Sequence, residues 1–164
     1  MTNFKRLAAM LVMTCAATGA AKAEWHFEIY EDEFAQFLLA DVTDETGSAM
    51  LEVGCYVDRD TGPRESTFYL KVDVPAEDLP PAAELTVDAG EQFVLTATVT
   101  YLGGMQIFGV SGLDDATVAT VAEAIHAAAT PIEISALGSS YTFTASNAAT
   151  ALKEVVDTCA MPAP

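Results

Sequence analysis

Apolar and polar residues alternate along most of the chain, which is the pattern of half-buried β-strands. Trp25, Phe27 and Ile29 alternate with more polar neighbours near the start. Three longer segments each place one apolar set on one face: Leu51, Val53, Cys55 and Val57; Phe68, Leu70, Val72 and Val74; and Phe93, Leu95, Ala97, Val99 and Tyr101. Further strands are predicted at about 34–42, 84–88, 105–110, 131–136 and 141–145. The pattern favours a mainly β protein with some α structure, built as an antiparallel β-sandwich or strongly curved sheet of about eight to nine strands.

Turn-forming residues separate these strands. Residues 44–47, 60–63 and 103–104 each fit a hairpin connection, because their Asp and Gly residues tolerate tight or positive-φ geometry. The Pro-rich stretch 75–81 is typical of a loop between strands. No repeat or linker divides the chain, so we expect one globular domain over residues 24–164.

Two segments have the period of helices instead. The internal segment 115–129 follows Asp114 and Asp115, which suit a helix N-terminus, and its apolar positions are Val118, Val121, Ala122, Ile125 and Ala129. The final segment 147–159 can be capped by Ser146 or Asn147, and its apolar stripe is Ala148, Leu152, Val155, Val156 and Cys159. Such a stripe must pack on another apolar surface. We therefore predict one internal helix and a C-terminal helix that lies on the sheet.

The first 23 residues have the three parts of a signal peptide. Lys5 and Arg6 precede an uncharged apolar stretch of about 15 residues, and 21–23 supply small residues at the cleavage positions. The stretch is shorter than the roughly 20 residues of a membrane-spanning helix, so an uncleaved anchor is not expected. Lipid attachment at Cys15 is not expected either, since Thr14 stands where a lipoprotein signal has a small residue. Cleavage before Glu24 and a soluble periplasmic or secreted product are predicted.

Two cysteines, Cys55 and Cys159, remain after this cleavage. An even number in an oxidising compartment favours a disulfide. Both residues lie on predicted apolar faces, one on a strand and the other on the terminal helix. A bond between them would fasten the helix to the sheet; the alternative is two unpaired buried thiols. Their spacing excludes a CxxC redox motif.

The mature chain is strongly acidic. It keeps four of the seven Lys and Arg residues and all 24 Asp and Glu residues, which gives a net charge of −20. Such a charge disfavours binding to nucleic acid or to anionic membrane surfaces. Solubility alone is the simplest interpretation of the charge, and a protein partner with a basic surface is the more specific alternative. The clusters Glu31, Asp32 and Glu33, and Asp114 and Asp115, lie outside every predicted core face and are the candidate contacts.

The last segment, from Phe143 to Cys159, resembles the ending of a loose group of small periplasmic proteins. The group includes the VasI-type accessory proteins of type VI secretion and other exported proteobacterial proteins. The likeness is most specific from Leu152 to Cys159, and an early tryptophan and a sheet cysteine accompany it. The resemblance implies an exported fold with a sheet, a terminal helix and a cysteine, without assigned catalytic residues.

The sequence offers little catalytic chemistry. His26 and His126 have no second ligand at metal spacing, and no cofactor motif is present. The segment 109–112 lacks the spacing of a nucleophile elbow, and 58–62 lacks the glutamate that completes a calcium loop. No aromatic cluster indicates a sugar or nucleotide platform.

These features favour a non-enzymatic periplasmic interaction or accessory protein, expected to be a monomer. One alternative is an acidic inhibitor or neutraliser of a basic protein, such as a lysozyme-like cell-wall hydrolase. A further alternative is a hydrolase with an unrecognised site.

Overall fold

Nine strands form one antiparallel sheet in the computed structural model, which describes residues 23–33, 35–60, 64–73, 79–111 and 115–159. The strands are β1 (His26–Glu31), β2 (Ala35–Thr43), β3 (Ala49–Asp58), β4 (Arg64–Val72), β5 (Ala82–Asp88), β6 (Gln92–Leu102), β7 (Met105–Ser111), β8 (Ile132–Ala136) and β9 (Ser139–Phe143). The helices are α1 (Asp115–Ala127) and α2 (Ala148–Cys159). Across the sheet the strand order is β1-β2-β3-β4-β7-β6-β5-β8-β9. The predicted antiparallel fold with an internal and a C-terminal helix is confirmed, as a single sheet.

Alternate side chains of each strand face the core and the solvent. The strand register places the core-facing apolar residues of one strand beside those of the next. Val53 pairs with Ala40 on one side and with Phe68 on the other, and Phe68 pairs in turn with Val110. All four are buried. Helix α2 packs on β1, β2 and β3, α1 packs on β4, and the two helices contact each other. The helices therefore lie on the core-facing side of β1–β4.

Trp25 joins the two edges of the sheet. It directly precedes β1, whereas Thr144 directly follows β9, and these strands are the two edges. The indole Nε1 donates a hydrogen bond to the Thr144 carbonyl oxygen at 2.8 Å, and the Trp25 amide donates to the Ser146 carbonyl oxygen at 3.3 Å. The Asn147 side-chain nitrogen donates to the Trp25 carbonyl oxygen at 2.8 Å. The sheet is thus curved far enough for its ends to meet beside α2.

The disulfide fastens the end of α2 to strand β3. Cys55 of β3 and Cys159, the last residue of α2, are bonded with an S–S distance of 2.02 Å and a Cα–Cα distance of 5.9 Å. Both cysteines are buried. The predicted pairing is confirmed, and it is a bond that oxidising compartments favour.

The β6–β7 and β2–β3 hairpins have the predicted turns. Gly103 and Gly104 connect β6 to β7 with φ angles of +64° and +92°, a combination that favours glycine because it has no Cβ. The β2–β3 turn is organised by Asp44, which is only 7% exposed. Its Oδ1 accepts hydrogen bonds from the Ser48 and Ala49 amides at 2.7 and 2.9 Å, and its Oδ2 accepts one from Thr46 Oγ1 at 2.6 Å. Burial alone would raise the pKa of Asp44, but these hydrogen bonds outweigh burial and lower it.

Asp44→Asn is expected to lower the free energy of unfolding by about 1–3 kcal/mol at neutral pH, because it removes a charged acceptor from several buried hydrogen bonds. The depressed folded-state pKa makes this contribution complete above the unfolded value of about 3.9 and removes it as pH falls through the folded value. Urea denaturation between about pH 7 and about pH 3 should show the gap to the wild type shrinking on acidification. The matched control is Asp88→Asn in the β5–β6 turn, where an exposed carboxylate accepts one bond, from the Gly90 amide at 3.0 Å. A gap that widened at low pH would contradict the role assigned to Asp44.

Three sequence predictions need correction. Tyr101 is predicted on the apolar face of β6 but is 44% exposed, because it lies next to the end of that strand. Helix α1 ends at Ala127, not at 129, and Ala129 is exposed. The Ala128 amide bonds the Ile125 carbonyl oxygen, which tightens the last turn, and Pro131 disfavours helical geometry at the residue before it. Ile29 lies on the same side of β1 as the core-facing residues but is 49% exposed, because β1 is an edge strand.

Several predictions concern residues outside the described part of the chain: the leader through residue 22, the turn residues 61–63, most of the loop 75–81, Val74 and Asp114. Within the described residues, no helix is long and apolar enough to cross a membrane.

Candidate functional site

Aromatic side chains form a row across the outer face of the sheet. Tyr30 of β1 pairs with Phe37 of β2, and Phe37 pairs with Tyr56 of β3, so the three occupy neighbouring positions on one face. The Phe37 and Tyr56 rings meet edge to face, with centroids 5.0 Å apart and planes at 62°. Tyr30 and Phe37 are 53% and 40% exposed. Such rings are usually buried, so their exposure on one face marks a candidate contact surface.

A solvent-open hollow of about 310 Å³, which we call the aromatic hollow, lies beside this row. Gly54 lies between two of its lining residues in the register, Leu39 and Thr67. A Cβ built on Gly54 would lie 2.2 Å from the Leu38 carbonyl oxygen, so the close approach of β2 and β3 allows no side chain there. The residues that line it are Tyr30, Phe37, Leu38, Leu39, Glu52, Cys55, Tyr56, Thr67 and Tyr69.

Tyr69 of β4 forms the wall opposite the aromatic row. Its register partner is Gly109 of β7, and a Cβ on Gly109 would lie 3.0 Å from Tyr69 Cε1. The ring therefore lies over the glycine, a cross-strand arrangement that holds it in place. Burial raises the pKa of Tyr69, and the neighbouring carboxylates Glu65 and Glu52 raise it further. The phenol is therefore neutral at physiological pH.

Carboxylates surround the aromatic hollow on several sides. Glu52 lines it and pairs with Lys71 of β4. Glu28 accepts a hydrogen bond from the Tyr30 hydroxyl. Burial raises the pKa of Asp41; the nearby His26 opposes this shift, whereas Glu28 and Glu52 add to it. Lys71 pairs with Glu52 and, like His26, also lowers the pKa of Asp41, so Glu28 is the carboxylate of this rim without a described basic partner.

The predicted acidic cluster Glu31, Asp32 and Glu33 adjoins the aromatic row. It ends β1 and begins the β1–β2 connection, and all three residues are exposed. Glu31 is 3.1 Å from Arg59 Nη2, and Asp32 Oδ1 accepts a hydrogen bond from the Ala35 amide at 2.7 Å. Asp32 thus shapes the turn.

Tyr56 shows that the same turn lies close to the rings. Its pKa is raised by burial first, and then by the carboxylates of Asp58 and Asp32. The other candidate acid within the described residues, Asp115, is the first residue of α1, and the structure does not describe its side chain. A contact role for either cluster stays a prediction.

No group of three or more His, Cys, Asp or Glu side chains is arranged to hold a metal ion in the part of the chain that the structure describes. His26 lies in the first position of β1, opposite Asp41, and His126 lies in the last turn of α1. The two histidines are therefore on different elements.

The aromatic hollow is the feature that the sequence interpretation missed, since no aromatic cluster was expected. Its rings are distant in sequence and meet only through the register of β1, β2, β3 and β4. A usable signal was present, however. Tyr30 and Tyr56 lie at the solvent-facing positions of their strands, where polar residues are usual.

Comparisons with protein-family models, with curated proteins and with solved structures find no match to this chain. The likeness to VasI-type accessory proteins is tested by none of them and stays a prediction.

Proposed function

We propose that this chain is an exported, non-enzymatic interaction protein that binds a basic partner protein through the outer face of β1–β4. The observation that carries the proposal is the aromatic hollow with its carboxylate rim. Exposed aromatic side chains are enriched at protein interfaces, and the surrounding negative charge selects for a positive partner surface.

The distribution of charged side chains supports a basic partner. The described basic side chains of Arg59, Lys71 and Lys153 are each paired with a carboxylate of the same chain. The negative charge of the mature chain therefore has few internal counter-charges, and it produces a field that attracts cationic surfaces.

An inhibitor of a cationic cell-wall hydrolase is a special case of the same proposal. The hollow and its acidic rim suit that task electrostatically. Affinity capture from periplasmic extract separates the two: a component of one envelope complex supports an accessory role, whereas cationic hydrolases support inhibition. Loss of hydrolase activity on addition of the purified protein is the decisive readout for the second.

Association with the purified partner is expected to slow by at least about tenfold when salt rises from about 50 to about 500 mM. Electrostatic steering acts before contact and is screened within about 8 Å at physiological ionic strength, whereas packed contacts govern dissociation. Dissociation should therefore change much less. Surface plasmon resonance at two salt concentrations measures both rates.

Two triple variants with equal charge change locate the steering surface. Glu31→Gln/Asp32→Asn/Glu33→Gln lies beside the aromatic row, whereas Glu84→Gln/Glu91→Gln/Glu133→Gln neutralises exposed acids around β5, β6 and β8. The first should slow association more than the second. Association that responds to neither salt nor the first variant would remove the basic-partner proposal.

A further inference from the structure

We infer that the aromatic hollow is a binding site for a cationic side chain, an arginine guanidinium or its lysine equivalent, presented by the partner protein. The inference rests on the proposed function and specifies the contact that the partner makes. The occupant is a single charged group with its alkyl stem, seated against the rings and close to Glu52, with Glu28, Asp41 and Glu65 at neighbouring register positions.

The shape of the hollow fits this occupant. The outer rows of the sheet run Tyr30–Phe37–Tyr56–Glu65, then Glu28–Leu39–Gly54–Thr67, then His26–Asp41–Glu52–Tyr69. The middle row has its gap at Gly54, with aromatic rings on both sides. A cation held near a ring face is attracted by the negative charge of that face, and the apolar Leu39 wall suits a methylene stem.

The charge around the hollow also fits a cation. Glu65 is the register partner of Tyr56 at one end of the aromatic row, whereas Glu28 and Asp41 lie along the opposite rim. The chain itself places a cation here, since Lys71 pairs with Glu52 on the hollow's lining. Among the described side chains, Lys71 pairs with Glu52 and His26 lies opposite Asp41, so two of the four carboxylates, Glu28 and Glu65, face no cation in these rows. A further positive charge would therefore be stabilised.

A saccharide is the competing occupant, because sugars also stack on aromatic rings. Carboxylates can accept hydrogen bonds from the hydroxyl groups of a neutral sugar, but only a cation also gains the Coulomb attraction of a net negative rim. The two classes are separated by direct binding.

The test uses the chain from Glu24 onward, isotope-labelled, with N-acetylarginine amide as the probe and NMR as the readout. The ring signals of Tyr30, Phe37, Tyr56 and Tyr69 are expected to shift saturably. N-acetylcitrulline amide, which has nearly the same shape without the charge, should bind at least about threefold more weakly. Higher salt should weaken the arginine probe and leave the citrulline probe unchanged.

Two variants with different defects keep the result interpretable. Phe37→Leu removes a half-exposed ring, and Glu52→Gln removes a charge while keeping the side-chain shape; each should weaken the arginine probe by about 2–30-fold. Glu133→Gln, an exposed acid on β8 at the far side of the sheet, should leave its affinity unchanged. Dispersed NMR spectra establish that each variant is folded.

Equal binding of the arginine and citrulline probes, or saturable binding of chitobiose at the same rings, would overturn the cation site. Arginine-induced shifts that Glu133→Gln weakens as much as Glu52→Gln would overturn it as well, since they would reflect net charge alone. The proposed function fails separately: if partner association stayed salt-sensitive without probe binding, only the hollow's role would be lost. If the probe bound but no salt-sensitive partner association existed, the basic-partner proposal would be lost and the cation site kept.

Discussion

Replacement of Cys55 or Cys159 with serine is expected to lower the free energy of unfolding by up to about 4.7 kcal/mol and to leave the protein a monomer. The bond joins residues 104 positions apart, so it excludes many extended conformations of the unfolded chain. Domains of this size are stable by about 5–15 kcal/mol, so the loss is a large part of the total. Urea denaturation of the wild type and of each single variant measures it.

Reduction of the wild type provides the matched control for this loss. A Cys→Ala variant is the reference, because alanine avoids the buried hydroxyl of serine. A phosphine reductant should lower the free energy of unfolding of the wild type to that of this variant. The same reductant should leave the stability of the variant unchanged. Thiol labelling of the wild-type chain from Glu24 onward, denatured without reductant, should find no free thiol. Two reactive thiols in that sample would show that the pair is not bonded.

The sheet was predictable from the sequence because each strand is long enough to show its period. The face formed by Leu51, Val53 and Cys55 is visible in a short window, and the turn at 103–104 is defined by its own two glycines. Helix α2 was likewise predicted within one residue, since its apolar stripe and its cap are local. Local patterns therefore account for the elements and for the burial of both cysteines.

The meeting of the sheet edges and the aromatic hollow could not be predicted, because both depend on contacts between distant residues. The Trp25–Thr144 hydrogen bond spans 119 positions, and nothing near Trp25 in sequence indicates its partner. The hollow requires the registers of β1–β2, β2–β3 and β3–β4 together. A slip of one residue in any of them would have turned a ring to the other face.

Trp25 is well placed to be a main support of the curved sheet. Its side chain is fully buried, at 0% exposure, and it is the only tryptophan of the chain. The backbone groups that bond Ser146 and Asn147 remain in an alanine or phenylalanine variant, whereas the indole contacts and the bond to Thr144 do not. Loss of the indole therefore tests whether side-chain packing closes the sheet edges.

Trp25→Ala is expected to lower the free energy of unfolding by about 3–5 kcal/mol, because it empties a large buried volume and leaves the Thr144 carbonyl without its indole donor. Trp25→Phe should lower stability less, because it keeps much of the buried area. It still loses the hydrogen bond to Thr144, which is worth about 0.5–1.5 kcal/mol. Val94→Ala, at a side chain that is 61% exposed, is the control and should change stability by no more than about 0.5 kcal/mol. Urea denaturation measures all three, and hydrogen exchange should show lost protection first in β1 and β9.

In the wild type, acrylamide should quench the single tryptophan weakly until the protein unfolds. Strong quenching of the native protein, or a Trp25→Ala variant as stable as Val94→Ala, would contradict a supporting role for the indole at the sheet edges.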